Sequence, residues 1–110
     1  FMNKFEAVLL LSPDLSNPLV DKEEEKFISS IEKTNGKIVN QENWGLRSLS
    51  YNINNFIKAF YRYYQIEMNG LEIQNIKKNL NQNEKIFRNL FVKVEQHQEL
   101  PTKMINNEEK

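Results

Sequence analysis

The sequence predicts an α+β domain in which four strands and two helices follow one another in the order β-α-β-β-α-β. Four short stretches have the apolar or alternating pattern of strands, and two others space their apolar residues three and four apart, as helices do. Right-handed crossovers would place both helices on one face of a four-stranded antiparallel sheet, the ferredoxin-like arrangement. The opposite face of the sheet is expected to remain open.

The first strand and the first helix are indicated by their patterns and their ends. Residues 5–11 form an apolar run that is too short for a helix. Ser16-Asn17-Pro18 combines a cap candidate with proline, and the spacing that follows predicts a helix over residues 17–34. The run Glu23-Glu24-Glu25 is expected on its solvated face. Asn35-Gly36 supplies residue types that tolerate a left-handed helix end.

A hairpin, a second helix and a last strand follow. The second strand is predicted over residues 37–51, with a bulge or bend at Gly45. The third strand is predicted over residues 58–68. The helical spacing of apolar residues then predicts a second helix over residues 71–80. Residues 86–94 form the predicted fourth strand.

The domain is expected to cover residues 4–95, within the size range of a single core. Residues 96–110 are polar and lack periodicity, which predicts a flexible C-terminal tail. The single histidine, His97, lies in this tail and is expected to be a solvated surface residue.

Charged side chains indicate which face of the sheet stays open. Glu6 and Glu67 belong on the solvated face, because burying an unpaired carboxylate costs several kcal/mol. Strand alternation puts other residues on the same face as these glutamates. We expect these neighbours to bind a protein partner: Tyr61, Tyr63, Val8 and Leu10. Arg62 falls on the core face and is expected at the end of the sheet, with its charged head in water.

Charge is unevenly distributed along a chain that has 15 basic and 15 acidic residues. Residues 46–94 carry eight Lys or Arg against three Glu, and this basic half contains most of the hairpin. A local positive field favours contact with nucleic acid. A net charge of zero indicates that the affinity is modest without a helper.

Several classes of function are disfavoured. The chain has no cysteine, which excludes disulfides and thiolate metal sites. No apolar run approaches the roughly 20 residues that span a bilayer, so no membrane association is expected. A catalytic His/Asp/Ser set, a Gly-rich phosphate loop and metal-ligand spacing are also missing, so the sequence predicts neither an enzyme nor a cofactor.

The signature of an RNA-recognition motif is absent, which favours protein contact over base stacking for the open-face tyrosines. Trp44 is expected to pack within the hairpin.

One stretch resembles a known family. Residues 43–53 read Asn-Trp-Gly-Leu-Arg-Ser-Leu-Ser-Tyr-Asn-Ile, and Lys58-Ala59-Phe60-Tyr61 follows. Together with Phe5-Glu6 and Ile86-Phe87-Arg88, this pattern resembles the bacterial small-subunit (30S) ribosomal protein S6 family over roughly residues 4–95. The resemblance implies a cytoplasmic, ribosome-associated structural protein that binds 16S rRNA together with ribosomal protein S18.

The resemblance also implies which basic residues contact RNA. The residues at matching basic positions are Lys4, Arg47, Lys58 and Arg88, and Lys93 adds a further basic residue in the same half of the chain. Two positions depart from the family pattern: Ser48 stands where a second basic residue is frequent, and Asn52 where proline is usual. Fewer phosphate contacts, with a larger share for the partner protein, are therefore expected.

A second interpretation stays open from the sequence. A ferredoxin-like regulatory module could use its open sheet face to pair with a second copy of itself, without binding RNA. The S6-like interpretation instead predicts a protein that is monomeric when free.

Overall fold

The computed structural model describes residues 2–102 and confirms the predicted order of strands and helices. The strands are β1 (Asn3–Leu11), β2 (Lys37–Ile53), β3 (Phe56–Met68) and β4 (Ile86–Val94), and the helices are α1 (Asn17–Glu32) and α2 (Ile73–Asn81). A short 3-10 turn, Gly70–Glu72, precedes α2. All neighbouring strands are antiparallel, in the order β2-β3-β1-β4.

The core lies between the two helices and one face of the sheet, as predicted. Alternate residues of β1 and β3 form the sheet side of this core: Phe5, Ala7, Leu9, Leu11, Tyr64, Ile66 and Met68. The helices contribute the other side: Val20, Phe27, Ile31, Ile73, Ile76 and Leu80. Each fully buried Val, Leu, Ile, Phe or Met side chain among them stabilises the fold by roughly 1.5–3 kcal/mol.

Two turns and one bulge have the backbone conformation that their residue types favour. Asn35, after α1, has φ of 66°, so the predicted left-handed helix end is confirmed. Gly45 has φ of 79° where the pairing of β2 with β3 shifts register, which confirms the predicted bulge. Asn54 and Asn55 join β2 to β3 with φ of 52° and 71°, the conformation of a type I′ turn.

Two predictions for the core face are wrong. Glu23 is only 2% exposed, because its carboxylate accepts a 2.7 Å hydrogen bond from Asn83 and lies near Lys26 and Lys85. Arg62 is buried rather than extended into water, and its guanidinium lies 3.2 Å from Glu24. In the glutamate run of α1, Glu24 therefore compensates buried polar groups, Glu23 is itself buried, and Glu25 alone is exposed as predicted.

Candidate docking and RNA-contact surface

The side chains on the sheet face opposite the helices form a regular grid, because residues paired across neighbouring strands point to the same side. The first two rows, written from β2 to β4, are Lys37, Glu67, Lys4, Val94 and then Asn40, Gln65, Glu6, Val92. The next two rows are Glu42, Tyr63, Val8, Leu90 and then Gly45, Tyr61, Leu10, Arg88. All four residues predicted for partner binding lie in the third and fourth rows.

A C-terminal segment, residues 97–102, covers part of this face, and we call it the strap. The backbone N–H of Gln98 donates to Glu6 at 3.0 Å, and the Gln65 amide donates to the Gln98 carbonyl at 2.8 Å. The N–H and hydroxyl of Thr102 donate to Glu42 at 3.1 and 2.7 Å. The sequence predicts a flexible tail from residue 96, whereas these bonds hold the strap on the sheet. Residues 103–110 of that tail lie outside the described residues.

The single histidine belongs to the strap, and the prediction of a solvated His97 is wrong. Its side chain is 12% exposed, and its Nδ1 lies 3.4 Å from Oε2 of Glu6. The polar composition of the surrounding sequence concealed this burial, because the segment is held on the sheet by hydrogen bonds of Gln98 and Thr102 rather than by a run of apolar contacts.

The strap also changes the interpretation of Tyr63. This tyrosine lies on the predicted face but is only 2% exposed. Its ring stacks on Trp44 at a centroid distance of 5.0 Å, and its hydroxyl accepts from Gln65 at 3.0 Å and from Gln98 at 3.3 Å. Burial raises the pKa of the Tyr63 hydroxyl. The packing role predicted for Trp44 is confirmed, while direct partner contact by Tyr63 is blocked as long as the strap is in place.

The remainder of the face carries an apolar strip. Its members are Val8, Leu10, Tyr61, Leu90 and Val92. Leu90 is 58% and Val92 47% exposed, and the other three are half-buried. Leu90 and Val92 are not evident from the sequence as members of this strip, because the side of β4 on which they lie depends on the register with β1. Clustered exposed apolar groups are typical of binding surfaces.

The five basic residues predicted to bind RNA do not share one surface. Arg88 is exposed beside Leu10 on the open face, and Arg47 lies on the same side, opposite Ala59 in the hairpin. Lys4 lies on this face as well, in the first row of the grid.

The other two basic residues point away from the open face. Lys58 pairs with Ser48, one residue out of step with Arg47, so it points to the opposite side of the hairpin. Lys93 pairs with the core residue Phe5 and therefore lies on the helix side of β4.

The carboxylates of Glu6 and Glu42 are ionised when they bind the strap. Burial alone would raise the pKa of Glu6, but hydrogen bonds from the backbone and side chain of Gln98, together with the nearby Tyr63 and His97 side chains, outweigh it and lower that pKa. Burial likewise opposes the ionised form of Glu42, and hydrogen bonds from Trp44 and Thr102 lower its pKa.

We expect acid to release the strap. Because the folded-state pKa values of Glu6 and Glu42 lie below the ordinary 4.5, attachment is complete above about pH 4.5 and is lost as the pH falls through the lowered values. Emission from Trp44, the single tryptophan, should therefore change during acid titration before the far-UV circular dichroism does. An emission signal that changes only together with circular dichroism would contradict this expectation.

The fold and this surface define a small α+β binding domain. Among residues 2–102, no group of three or more His, Cys, Asp or Glu side chains is placed to hold a metal ion. Within the same range, no helix is long and apolar enough to cross a membrane. What the open face offers is an apolar strip, nearby arginines and a polypeptide segment bound across it.

Comparisons with known proteins identify the family. The family model for ribosomal protein S6 matches residues 4–93. The small ribosomal subunit protein bS6 of Orientia tsutsugamushi is 34% identical over 107 residues, covering 97% of this chain and 91% of the relative. The bS6 protein of Brucella canis is 36% identical over 104 residues, covering 94% of this chain and 70% of the relative.

A solved structure shares the fold. The crystal structure of 30S ribosomal protein S6 from Thermotoga maritima matches with a TM-score of 0.80 at 20% identity, covering 86% of this chain and 89% of that one. The chain belongs to the ribosomal protein S6 family. It is thus a structural, non-enzymatic protein of the small ribosomal subunit, cytoplasmic and ribosome-associated.

Proposed function

We propose that this S6-family protein binds 16S rRNA together with ribosomal protein S18. The observation that supports this function best is the apolar strip on the uncovered half of the sheet, with Arg88 and Arg47 on the same side. An apolar strip offers a protein partner a surface to bury. Guanidinium groups next to it offer charge-assisted hydrogen bonds to phosphates at the edge of the same interface.

S18 is proposed to pack on the strip. Leu90 and Val92 on β4 present the most exposed apolar area of the strip, which continues through Val8 and Leu10 on β1 to Tyr61 on β3. Burial of this area would contribute roughly 25 cal/mol per Å² of apolar surface before the costs of association.

RNA is proposed to contact the basic residues through its phosphates. Arg47 and Arg88 would act beside the strip, and Lys4, Lys58 and Lys93 would act at other edges of the domain. Recognition of this kind reads shape and backbone rather than base identity. Because the five residues point to different sides, the RNA would have to wrap around the sheet edges rather than lie on one face.

Binding to 16S rRNA should be measured with and without S18, at two salt concentrations. We expect tighter binding when S18 is present, because a chain with zero net charge supplies few phosphate contacts alone. Equal affinity with and without S18 would contradict the joint interaction.

Arg88→Ala is expected to weaken rRNA binding and to reduce the slope of log affinity against log salt by about 1, the loss of one phosphate contact. Its exposure in β4 means that the free energy of unfolding should stay within about 0.5 kcal/mol of the original. Lys22→Ala, an exposed change on α1, is the matched control and should leave the slope unchanged. An unchanged slope for Arg88→Ala would remove this residue from the RNA site.

The exposure of Leu90 and Val92 also favours a second candidate, in which the strip pairs two copies of the chain. Gel filtration separates the two functions. A stable homodimer that has no affinity for 16S rRNA with S18 would support self-pairing and contradict the main proposal.

A further inference from the structure

The residues beneath the strap recognise a polypeptide main chain. Glu6 accepts a backbone N–H from Gln98, Gln65 donates to the carbonyl of the same residue, and Glu42 accepts the N–H of Thr102. Main-chain N–H and C=O groups are present in nearly every residue. These contacts therefore suit an extended peptide in general rather than one particular side chain.

The spacing of these groups also fits a single short peptide segment. Glu6 lies on β1 and Glu42 on β2, with β3 between them, so about 10 Å of sheet separates the two strands. Gln98 and Thr102 are four residues apart, so about 13 Å is the upper limit of the span between them, and the chain bends at Leu100 and Pro101. The bound segment can thus reach both carboxylates while it crosses the sheet at an angle to the strands.

Side-chain contacts add a chemical preference. The Gln98 amide donates to Glu6 at 3.1 Å, and the Thr102 hydroxyl donates to Glu42 at 2.7 Å. A segment that binds here should carry an amide or hydroxyl donor at each of these two positions, because an acidic side chain would repel the carboxylates.

We propose that Glu6, Gln65 and Glu42 form a peptide-binding track, that the strap occupies this track within the free protein, and that an extended segment of the protein partner displaces it. The track adjoins the apolar strip through Val8 and Val92, so one partner could bury the strip and fill the track together. The identity of the partner rests on the proposed function, whereas the track itself does not.

The fluorescence of Trp44 reports whether the strap lies in the track, and this measurement needs no partner protein. Its indole N–H donates to Oε1 of Glu42 at 2.9 Å, and the same oxygen accepts the hydroxyl of Thr102. In the full-length chain, the double change Gln98→Ala with Thr102→Ala should raise quenching of Trp44 by acrylamide. The matched control, Gln96→Ala with Glu99→Ala, alters two exposed polar residues of the same C-terminal region and should leave quenching unchanged. Equal quenching in both variants would overturn the proposed strap.

A synthetic peptide tests the track directly. The peptide Glu-Gln-His-Gln-Glu-Leu-Pro-Thr, which repeats residues 95–102, should bind the full-length double variant and restore its Trp44 emission. The original chain should need an at least about tenfold higher peptide concentration for half-saturation, because its intact strap competes at a high effective concentration. No binding to the double variant, or equal binding to both chains, would overturn the proposal.

S18 then tests the displacement. The double variant should bind S18 several-fold more tightly than the original chain, because its strap has lost the side-chain hydrogen bonds to Glu6 and Glu42 and is displaced more easily. Unchanged or weaker binding would overturn the competition between strap and partner. If S18 binds neither chain while the peptide still binds the double variant, the proposed function fails and the track stands.

Discussion

Glu24→Ala is expected to lower the free energy of unfolding by about 3 kcal/mol or more, because two groups of the core face lose the carboxylate that pairs with them. Glu24 accepts a 2.7 Å hydrogen bond from the Tyr64 hydroxyl and lies 3.2 Å from the Arg62 guanidinium. Removal of its carboxylate leaves a buried hydroxyl without this acceptor, and among residues 2–102 it leaves the guanidinium paired with the exposed Asp21 alone, at 3.7 Å. Chemical denaturation measures the loss.

The neighbouring residue supplies the control for this change. Glu25 is exposed on the same turn of α1, and Glu25→Ala should alter the free energy of unfolding by no more than about 0.5 kcal/mol. Tyr64→Phe removes the hydroxyl while the ion pair stays, and should cost about 1.5–2 kcal/mol, since the lost hydrogen bond has a charged acceptor. Equal losses for the two glutamate variants would refute the claim that Glu24 compensates buried groups.

Gly36→Ala is expected to destabilise the domain by about 2 kcal/mol through overpacking. A Cβ at this position would lie 2.8 Å from the Cβ of Met68 and 3.1 Å from the carbonyl oxygen of Glu67. Both groups are fixed to the backbone of β3, so the strand itself would have to move. Thermal and chemical denaturation should both report the loss.

Gly70→Ala is the control for added volume at a glycine. The nearest atom to its Cβ would be the side-chain oxygen of Asn3 at 3.3 Å, which can rotate away. The free energy of unfolding should therefore change by less than about 1 kcal/mol. A loss at Gly70 as large as that at Gly36 would show that the approach to Met68 is not the cause.

Much of the fold could be predicted because its signals are local. Apolar periodicity and the turn residues Asn35 and Gly45 each report on a few neighbouring positions. The assignment of Tyr61, Val8 and Leu10 to the open face also followed from alternation within single strands.

The rest depends on contacts between distant parts of the chain. The burial of Glu23 requires Asn83, 60 residues later, and the burial of Arg62 requires Glu24, 38 residues earlier. The strap consists of polar residues that pair with Glu6, 92 residues before Gln98. No pattern within a short window reports such pairs, so polar stretches predict solvated chain even where the structure holds them against the sheet.

The central position of β1 has a consequence for the time course of folding during synthesis. This strand is made first, yet its two neighbours come much later, since Lys4 pairs with Glu67 and with Val94. Such long sequence separations slow folding. At a synthesis rate of about 5–20 residues per second, the apolar β1 waits several seconds before the sheet around it can close.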